Sequence, residues 1–114
     1  MGTNNSAITA IANDYGYENV FAREIEAIAN PIDIIIAITT SGNSLNILKA
    51  LELAKSKNIF AIVLTGLGMG KIGEGVETIN IPSSDTARIQ ESHILLGHIL
   101  CELVESSMFK DSNL

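Results

Sequence analysis

The chain has 114 residues, of which 46% are hydrophobic and 4% aromatic, and its formal net charge is −6. This length suits one globular domain, residues 1–114, with a modest core, and the hydrophobic content excludes a disordered chain. No basic stripe is available to neutralise phosphates, so we expect no nucleic-acid partner.

Two further features concern location. The longest uninterrupted apolar run, residues 34–38, is far too short to span a bilayer, and the N-terminus lacks the basic and then apolar pattern of a secretory signal. Cys101 is the only cysteine, so no intrachain disulfide can form. We therefore expect a cytoplasmic protein without a membrane segment.

The first predicted elements are a helix and a strand. Tyr17, Phe21, Ile25 and Ile28 recur at helical spacing, which predicts a helix that ends at the Asn-Pro pair that follows. Residues 32–39, IDIIIAIT, form a continuous β-branched run. Such a run is typical of a parallel strand that is covered on both faces.

This strand runs into the segment TTSGNS, residues 39–44, which we call the hydroxyl loop; a leucine-rich helix is predicted over residues 44–57. Gly42 allows a close backbone approach or a positive φ, and Ser44 is placed to cap the helix. Hydroxyls beside the amides of a helix N-terminus suit a phosphate monoester. The alternative is an ordinary turn with an N-cap.

The second half predicts a buried strand over 59–65, a glycine-rich loop over 66–75, a third strand near an edge over 76–82, and a long helix from about Thr86. The loop matches neither the dinucleotide motif nor the nucleoside-triphosphate motif, so we predict a flexible connection. The element order predicts a right-handed βαβ arrangement and a parallel sheet with helices on its faces. Ligands of such sheets lie at the carboxyl ends of the strands, where the hydroxyl loop begins.

The long helix carries the remaining chemical candidates. Gln90 and His98 are eight residues apart, which is about 12 Å along the axis and roughly 80° around it. They can therefore share an ion only if both side chains reach toward each other. From the residues alone a core or interface role is favoured for His98, and more strongly for His93; the alternative for His98 is proton transfer near neutral pH.

Four segments together resemble a known family: NDYGY at 13–17, TTSGNS at 39–44, LTG at 64–66 and TARIQESHILLGHILCELVE at 86–105. They are similar to the SIS (sugar isomerase) domain and, within it, to bacterial phosphoheptose isomerases. The resemblance implies an α/β fold of three αβα layers with a parallel, flavodoxin-like or Rossmann-like sheet. It also implies interconversion of sedoheptulose 7-phosphate and D-glycero-D-manno-heptose 7-phosphate in heptose biosynthesis for bacterial surface polysaccharide.

The resemblance assigns roles to single residues. Gln90 and His98 would ligate zinc, and His98 would also act in catalysis as the proton-transfer group. The first hydroxyl of the loop is commonly Ser in the family and is Thr39 here, which keeps the hydroxyl. The residues implied to bind the sugar phosphate are Asn13, Asp14, Thr39, Thr40, Ser41, Ser44 and Gln90.

The resemblance also implies a preceding N-terminal portion, absent here, that holds the catalytic glutamate and half of the zinc ligands. We therefore expect the phosphate-binding half of an isomerase, with weak or no turnover alone, assembled as a homodimer or homotetramer through the long helices. Two alternatives stay open. One is a non-catalytic sugar-phosphate-binding or protein-interaction module, like relatives that bind a replication initiator; the other is a structural remnant that folds only as an oligomer.

Overall fold

The structure is a computed structural model that describes residues 1, 3–73 and 75–109. A 3₁₀ turn at Tyr17–Asn19 separates the first two helices. The helices and strands, in chain order, are α1 (Asn5–Tyr15), α2 (Val20–Ile28), β1 (Ile34–Ile38), α3 (Leu45–Ser56), β2 (Phe60–Thr65), β3 (Glu77–Asn80) and α4 (Thr86–Met108). Every predicted strand and helix is present, and α1 is an addition that the sequence analysis missed.

The described strands form a parallel sheet in the order β1-β2-β3. Ile34 lies opposite Phe60, and Ile62 lies opposite Glu77. The predicted parallel βαβ arrangement and the edge position of β3 are therefore confirmed. The central strand β2 ends in three buried residues, so its carboxyl end is the most enclosed part of the sheet.

The core lies between the sheet and the helices α2 and α3. Ile25 of α2 is fully buried and packs with Ala50 and Ala54 of α3 and with Ile59. A second cluster joins the sheet to α3 and the glycine-rich loop through Ala37, Leu51, Val63 and Ile72. The helical spacing predicted for α2 therefore buries one side chain deeply, because α3 crosses it at that point.

The opposite face of β1 is open. Side chains alternate between the two faces of a strand, and Ile34, Ile36 and Ile38 are 63%, 48% and 57% exposed. The prediction that this strand is covered on both faces is therefore wrong for the described chain. Among the described residues of α4 only Ile89 and His93 are buried, so this helix does not lie across the open face.

The helix α1 begins at a capped N-terminus, since Asn4 Oδ1 accepts a hydrogen bond of 3.0 Å from the amide of Ala7. None of its residues is buried. Because α1 contacts the core so little, its sequence needs no strong apolar periodicity, and the helix was therefore not predicted. No helix among the described residues is both long enough and apolar enough to span a bilayer.

Candidate functional site

Hydrogen bonds within the chain organise the hydroxyl loop. Thr39 is buried, and its Oγ1 accepts a hydrogen bond of 3.2 Å from the amide of Gly42 and lies 3.4 Å from Ser44 Oγ. Its amide donates to the carbonyl of Leu64 at 3.0 Å, as though β1 continued one residue further. The Thr39 hydroxyl is therefore turned into the loop, where it fixes the turn.

Ser44 is the N-cap residue of α3, as predicted, but its side chain makes no capping hydrogen bond. The prediction that this hydroxyl caps the helix is therefore wrong, and the reason is that Ser44 Oγ faces Thr39 instead. Its carbonyl still accepts the amide of Leu48 at 3.0 Å, so the helix starts where the sequence places it. As a result, the Ser44 hydroxyl does not accept a hydrogen bond from the first amides of α3.

The glycine-rich loop packs against the hydroxyl loop. Gly42 has φ +72°, and a β-carbon there would overlap the carbonyl of Met69. Gly70 has φ +57°, and a β-carbon there would lie 2.5 Å from the carbonyl oxygen of Ser41, while the amide of Lys71 donates to the Gly42 carbonyl at 3.0 Å. The predicted flexible connection is thus, within its described residues, a support for the hydroxyl loop; Glu74 lies outside them.

A cleft of about 320 Å³ opens at the carboxyl ends of the strands. Its lining residues follow β1, follow β2, precede α4 or lie in its first turns: Thr40, Ser41, Leu67, Gly68, Ser83, Ser84, Thr86 and Ile89. Each of these side chains is uncharged, so hydroxyl and amide groups are what the lining offers to an anion. The hydroxyls of Ser83 and Ser84 before α4 and of Thr86 at its first residue were not predicted, although their place after the third strand was the available signal.

The start of α4 is held against the end of β2. Asp85 caps the helix by accepting a hydrogen bond of 3.0 Å from the amide of Ala87. Ile89 packs on Gly66 so closely that a β-carbon there would lie 2.6 Å from Ile89 Cδ1. One turn later, the ring Nε2 of His93 lies 2.9 Å from the carbonyl oxygen of Thr65.

The other predicted site residues lie apart from the cleft lining. Asn13 and Asp14 are exposed in the last turn of α1, where Asn13 Nδ2 donates to Asp14 Oδ1 at 3.1 Å. Gln90 and His98 are exposed on α4. The structure thus brings Thr40 and Ser41 together with the start of α4. The other six predicted residues are outside the cleft lining, two of them, Thr39 and Ser44, within the hydroxyl loop.

The predicted zinc ligands do not form a site by themselves. Gln90 and His98 belong to one continuous helix, which separates them by about 12 Å along its axis. The described residues contain no group of three His, Cys, Asp or Glu side chains that could hold a metal ion. Because protein zinc sites need three or four ligands, the residues described here do not fit the ion unaided.

Comparison with known proteins finds relatives that share one name. No family model matches the chain. The phosphoheptose isomerase of Aneurinibacillus thermoaerophilus is 51% identical over 112 residues, which are 97% of this chain and 57% of that protein. Phosphoheptose isomerase 2 of Campylobacter jejuni is 53% identical over 110 residues, which are 96% of this chain and 55% of that protein.

Solved structures agree with the curated relatives. A phosphoheptose isomerase from Neisseria gonorrhoeae superposes with a TM-score of 0.84 at 40% identity, over 90% of this chain and 59% of the other. One from Francisella tularensis gives a TM-score of 0.85 at 37% identity, over 90% and 56%. The chain spans somewhat more than half the length of these relatives. It is therefore homologous, over nearly all of its residues, to phosphoheptose isomerases, and it shares their SIS fold over the part that it spans.

Proposed function

We propose that the chain serves phosphoheptose isomerase activity, the interconversion of sedoheptulose 7-phosphate and D-glycero-D-manno-heptose 7-phosphate in heptose biosynthesis for bacterial surface polysaccharide. The observation that carries this proposal is the cleft at the carboxyl ends of the strands. It pairs the hydroxyl loop with the serines before α4, in a chain about half identical to isomerases of this name. A non-catalytic interaction module is not favoured, because the relatives are named as isomerases.

The phosphate is proposed to bind between the hydroxyl loop and the N-terminus of α3. Thr40 and Ser41 line the cleft, and the Thr39 hydroxyl holds the turn from behind. The N-terminus of a helix carries the equivalent of about +0.5 elementary charge, which favours a phosphate even on a chain of net charge −6. Ser44 stands at that N-terminus and completes the proposed set of hydroxyls.

The sugar is proposed to extend from the phosphate along α4. In a heptulose 7-phosphate the reacting carbons, C1 and C2, lie at the opposite end of the chain from the phosphate. Ile89 lines the cleft and His98 follows nine residues later on the same helix, about 13 Å further along the axis. Gln90, in the first turns, is proposed to contact the sugar hydroxyls, together with Asn13 and Asp14 of α1.

The reaction moves a proton between C1 and C2 through an enediol. A base removes the proton from the carbon that bears the hydroxyl while the carbonyl oxygen takes up a proton, which gives the enediol. An acid then returns a proton to the neighbouring carbon, and the original hydroxyl loses its proton to become the new carbonyl. His98 is the proposed proton-transfer group, since an imidazole can both accept and donate a proton and this one is exposed on the helix that borders the site. Binding of the phosphate holds the two carbons in place for both steps.

Zinc belongs to this proposal only in a limited way. Gln90 and His98 offer an amide oxygen and a ring nitrogen, which zinc accepts, but the remaining ligands would have to come from outside the described residues. When bound, a zinc ion supplies polarisation of a carbonyl group. Calorimetric titration with zinc tests it, for the chain alone and after addition of the amino-terminal part of the Aneurinibacillus thermoaerophilus relative: zinc should bind only in the mixture, and a Gln90→Leu variant should weaken that binding.

Assembly is proposed to be a homodimer or homotetramer formed through α4. Five large apolar side chains are between 42% and 61% exposed on this helix: Ile94, Leu95, Ile99, Leu103 and Val104. Exposed apolar side chains grouped on one helix are typical of an interface between subunits.

We also propose a cytoplasmic location, which is consistent with the free thiol of Cys101.

Two measurements test the proposed function. Calorimetric titration of the chain with sedoheptulose 7-phosphate should show binding that inorganic phosphate competes away. Formation of the aldose 7-phosphate is then followed by NMR, for the chain alone and after addition of the amino-terminal part of the Aneurinibacillus thermoaerophilus relative as a separate polypeptide. A folded chain that binds neither phosphate nor sugar phosphate, and that gives no turnover in either mixture, contradicts the proposal.

A further inference from the structure

His93 is one of two buried residues of α4, with 3% of its surface exposed. Its Nε2 lies 2.9 Å from the carbonyl oxygen of Thr65. A carbonyl oxygen only accepts hydrogen bonds, so Nε2 carries the proton and donates it. The other ring nitrogen, Nδ1, is buried and has no hydrogen-bond partner among the described residues.

A purely stabilising role does not account for this side chain. The Thr65 carbonyl also accepts a hydrogen bond of 3.0 Å from the amide of Ile81, so it would keep a partner if His93 were replaced. An apolar side chain of similar length would also remove the buried, unpaired Nδ1, which costs free energy of desolvation. For stability alone, therefore, histidine is not the best residue at this position.

The His93 hydrogen bond links the helix to the rigid end of the sheet. Thr65 Oγ1 accepts a hydrogen bond of 2.6 Å from Asn80 Nδ2, so the same residue already joins β2 to β3. The only other buried residue of α4 is Ile89, whose contact with Gly66 is apolar. Apolar contacts tolerate sliding and rotation, whereas a hydrogen bond is directional. His93 therefore sets both the height and the rotation of α4 above the cleft.

We propose that His93 is a positioning residue for sugar recognition. Its hydrogen bond to the Thr65 carbonyl fixes the register of α4, so that Gln90 and Thr86 meet the sugar of a phosphosugar whose phosphate lies in the hydroxyl loop. The hydroxyl loop itself is held by Gly42 and the glycine-rich loop, and none of its hydrogen bonds within the described residues involves α4. This inference rests on the proposed function, and it separates sugar recognition from phosphate binding.

The test uses two variants of matched length. His93→Gln keeps an N–H donor near the position of Nε2, and His93→Met removes it; Ser92→Ala, on the same turn of α4, is the control. Each protein is titrated with sedoheptulose 7-phosphate and, separately, with inorganic phosphate, and its thermal unfolding midpoint is measured. We expect His93→Met to bind the sugar phosphate at least tenfold more weakly, to bind inorganic phosphate within twofold of wild type, and to keep its unfolding midpoint. His93→Gln should regain most of the sugar-phosphate affinity.

Three results would overturn the inference. One is sugar-phosphate affinity in His93→Met equal to that of wild type. Another is an equal loss for both ligands accompanied by a lower unfolding midpoint, which is the signature of a residue needed only for folding. The third is a wild-type chain that binds sedoheptulose 7-phosphate no better than phosphate. A wild-type chain that binds neither ligand instead removes the proposed function, and this inference with it.

A measurement on the wild-type protein covers the case in which His93→Met does not fold. The Nε2–H proton of His93 is observed by NMR with ¹⁵N-labelled histidine. Sedoheptulose 7-phosphate should slow its exchange with solvent at least tenfold, and inorganic phosphate should change that rate by less than twofold. An equal response to both ligands would contradict the proposal.

Discussion

The hydroxyl loop and the helix α4 supply the two halves of the candidate site, and they are held in very different ways. The loop is fixed within a few residues, by the Thr39 hydroxyl, by Gly42 and by the carbonyl of Met69. The helix is held at its start by Ile89 and His93, and none of its other described residues is buried. The proposed phosphate donors are therefore pre-organised by the chain itself, whereas the groups proposed to face the sugar depend on how the helix is supported.

The strongest way to break the loop is to replace Gly42. An alanine there would force its β-carbon into the Met69 carbonyl at a φ of +72°. Strain and overlap together should lower the free energy of unfolding by about 2–4 kcal/mol and abolish phosphate binding. Chemical denaturation and phosphate titration measure the two effects.

Gly73→Ala is the matched control, since a β-carbon there meets nothing within 4 Å and its φ is not in the left-handed region. It should leave both quantities near the wild-type values. A Gly42→Ala variant with wild-type stability would show that the hydroxyl loop and the glycine-rich loop do not pack as closely as the structure describes.

The next largest effect is expected on the exposed part of α4. Leu103 is 61% exposed on the apolar face proposed to form the subunit interface. Leu103→Glu places a charge in that interface and should dissociate the oligomer at micromolar concentration, because burying an unpaired carboxylate costs several kcal/mol. Multi-angle light scattering measures the mass of each protein.

Glu102→Gln, at the neighbouring exposed position, should leave the mass unchanged. A wild-type chain that is already monomeric, or a Leu103→Glu variant of unchanged mass, would contradict the proposed interface. Either result would mean that the helix is supported by something other than its own copies.

Within the loop itself, Thr39 and Thr40 should separate folding from binding. Thr39→Val keeps the shape of the side chain but removes the acceptor for the Gly42 amide, which should cost about 1–3 kcal/mol of stability. Thr40 lines the cleft, and Thr40→Val should leave stability unchanged while weakening phosphate binding about tenfold, or about 1.4 kcal/mol.

Thermal unfolding and phosphate titration of both variants, side by side, give the comparison. A Thr40→Val variant that binds phosphate as wild type would remove this hydroxyl from the proposed site. A Thr39→Val variant of wild-type stability would mean that the turn does not need its internal hydrogen bond.

The same contrast explains how much the sequence could predict. Strands β1 and β2 were found because their apolar runs are continuous, and the hydroxyl loop was found because Gly42 and its neighbours form a local motif. The direction of each hydroxyl was not predictable, since Thr39 turns inward only because Gly42 donates to it. Local patterns of sequence therefore give the loop but not the orientation of its groups.

For α4 the limits are greater. The helix itself was predicted, and a core position was favoured for His93, which is buried, yet nothing in the sequence placed that ring against the Thr65 carbonyl. That contact depends on where the helix crosses the end of β2, which is a tertiary property. The exposure of Ile34 on the open sheet face escaped prediction for the same reason, since a β-branched run does not reveal whether a second layer covers it.

The smallest expected effect concerns a positive charge in the first turn of α4. Arg88 lies in the first turn of α4, but its guanidinium is 2.6 Å from the Glu91 carboxylate, and both side chains are more than half exposed. Exposed pairs contribute about 0–1 kcal/mol, so Arg88→Met should change stability by less than about 0.5 kcal/mol. If the cleft binds phosphate through hydroxyls and amides alone, the same variant should change phosphate affinity by less than twofold at 0.15 M salt. A tenfold loss would show that Arg88 leaves Glu91 to contact the ligand, and the helix would then share the phosphate with the hydroxyl loop.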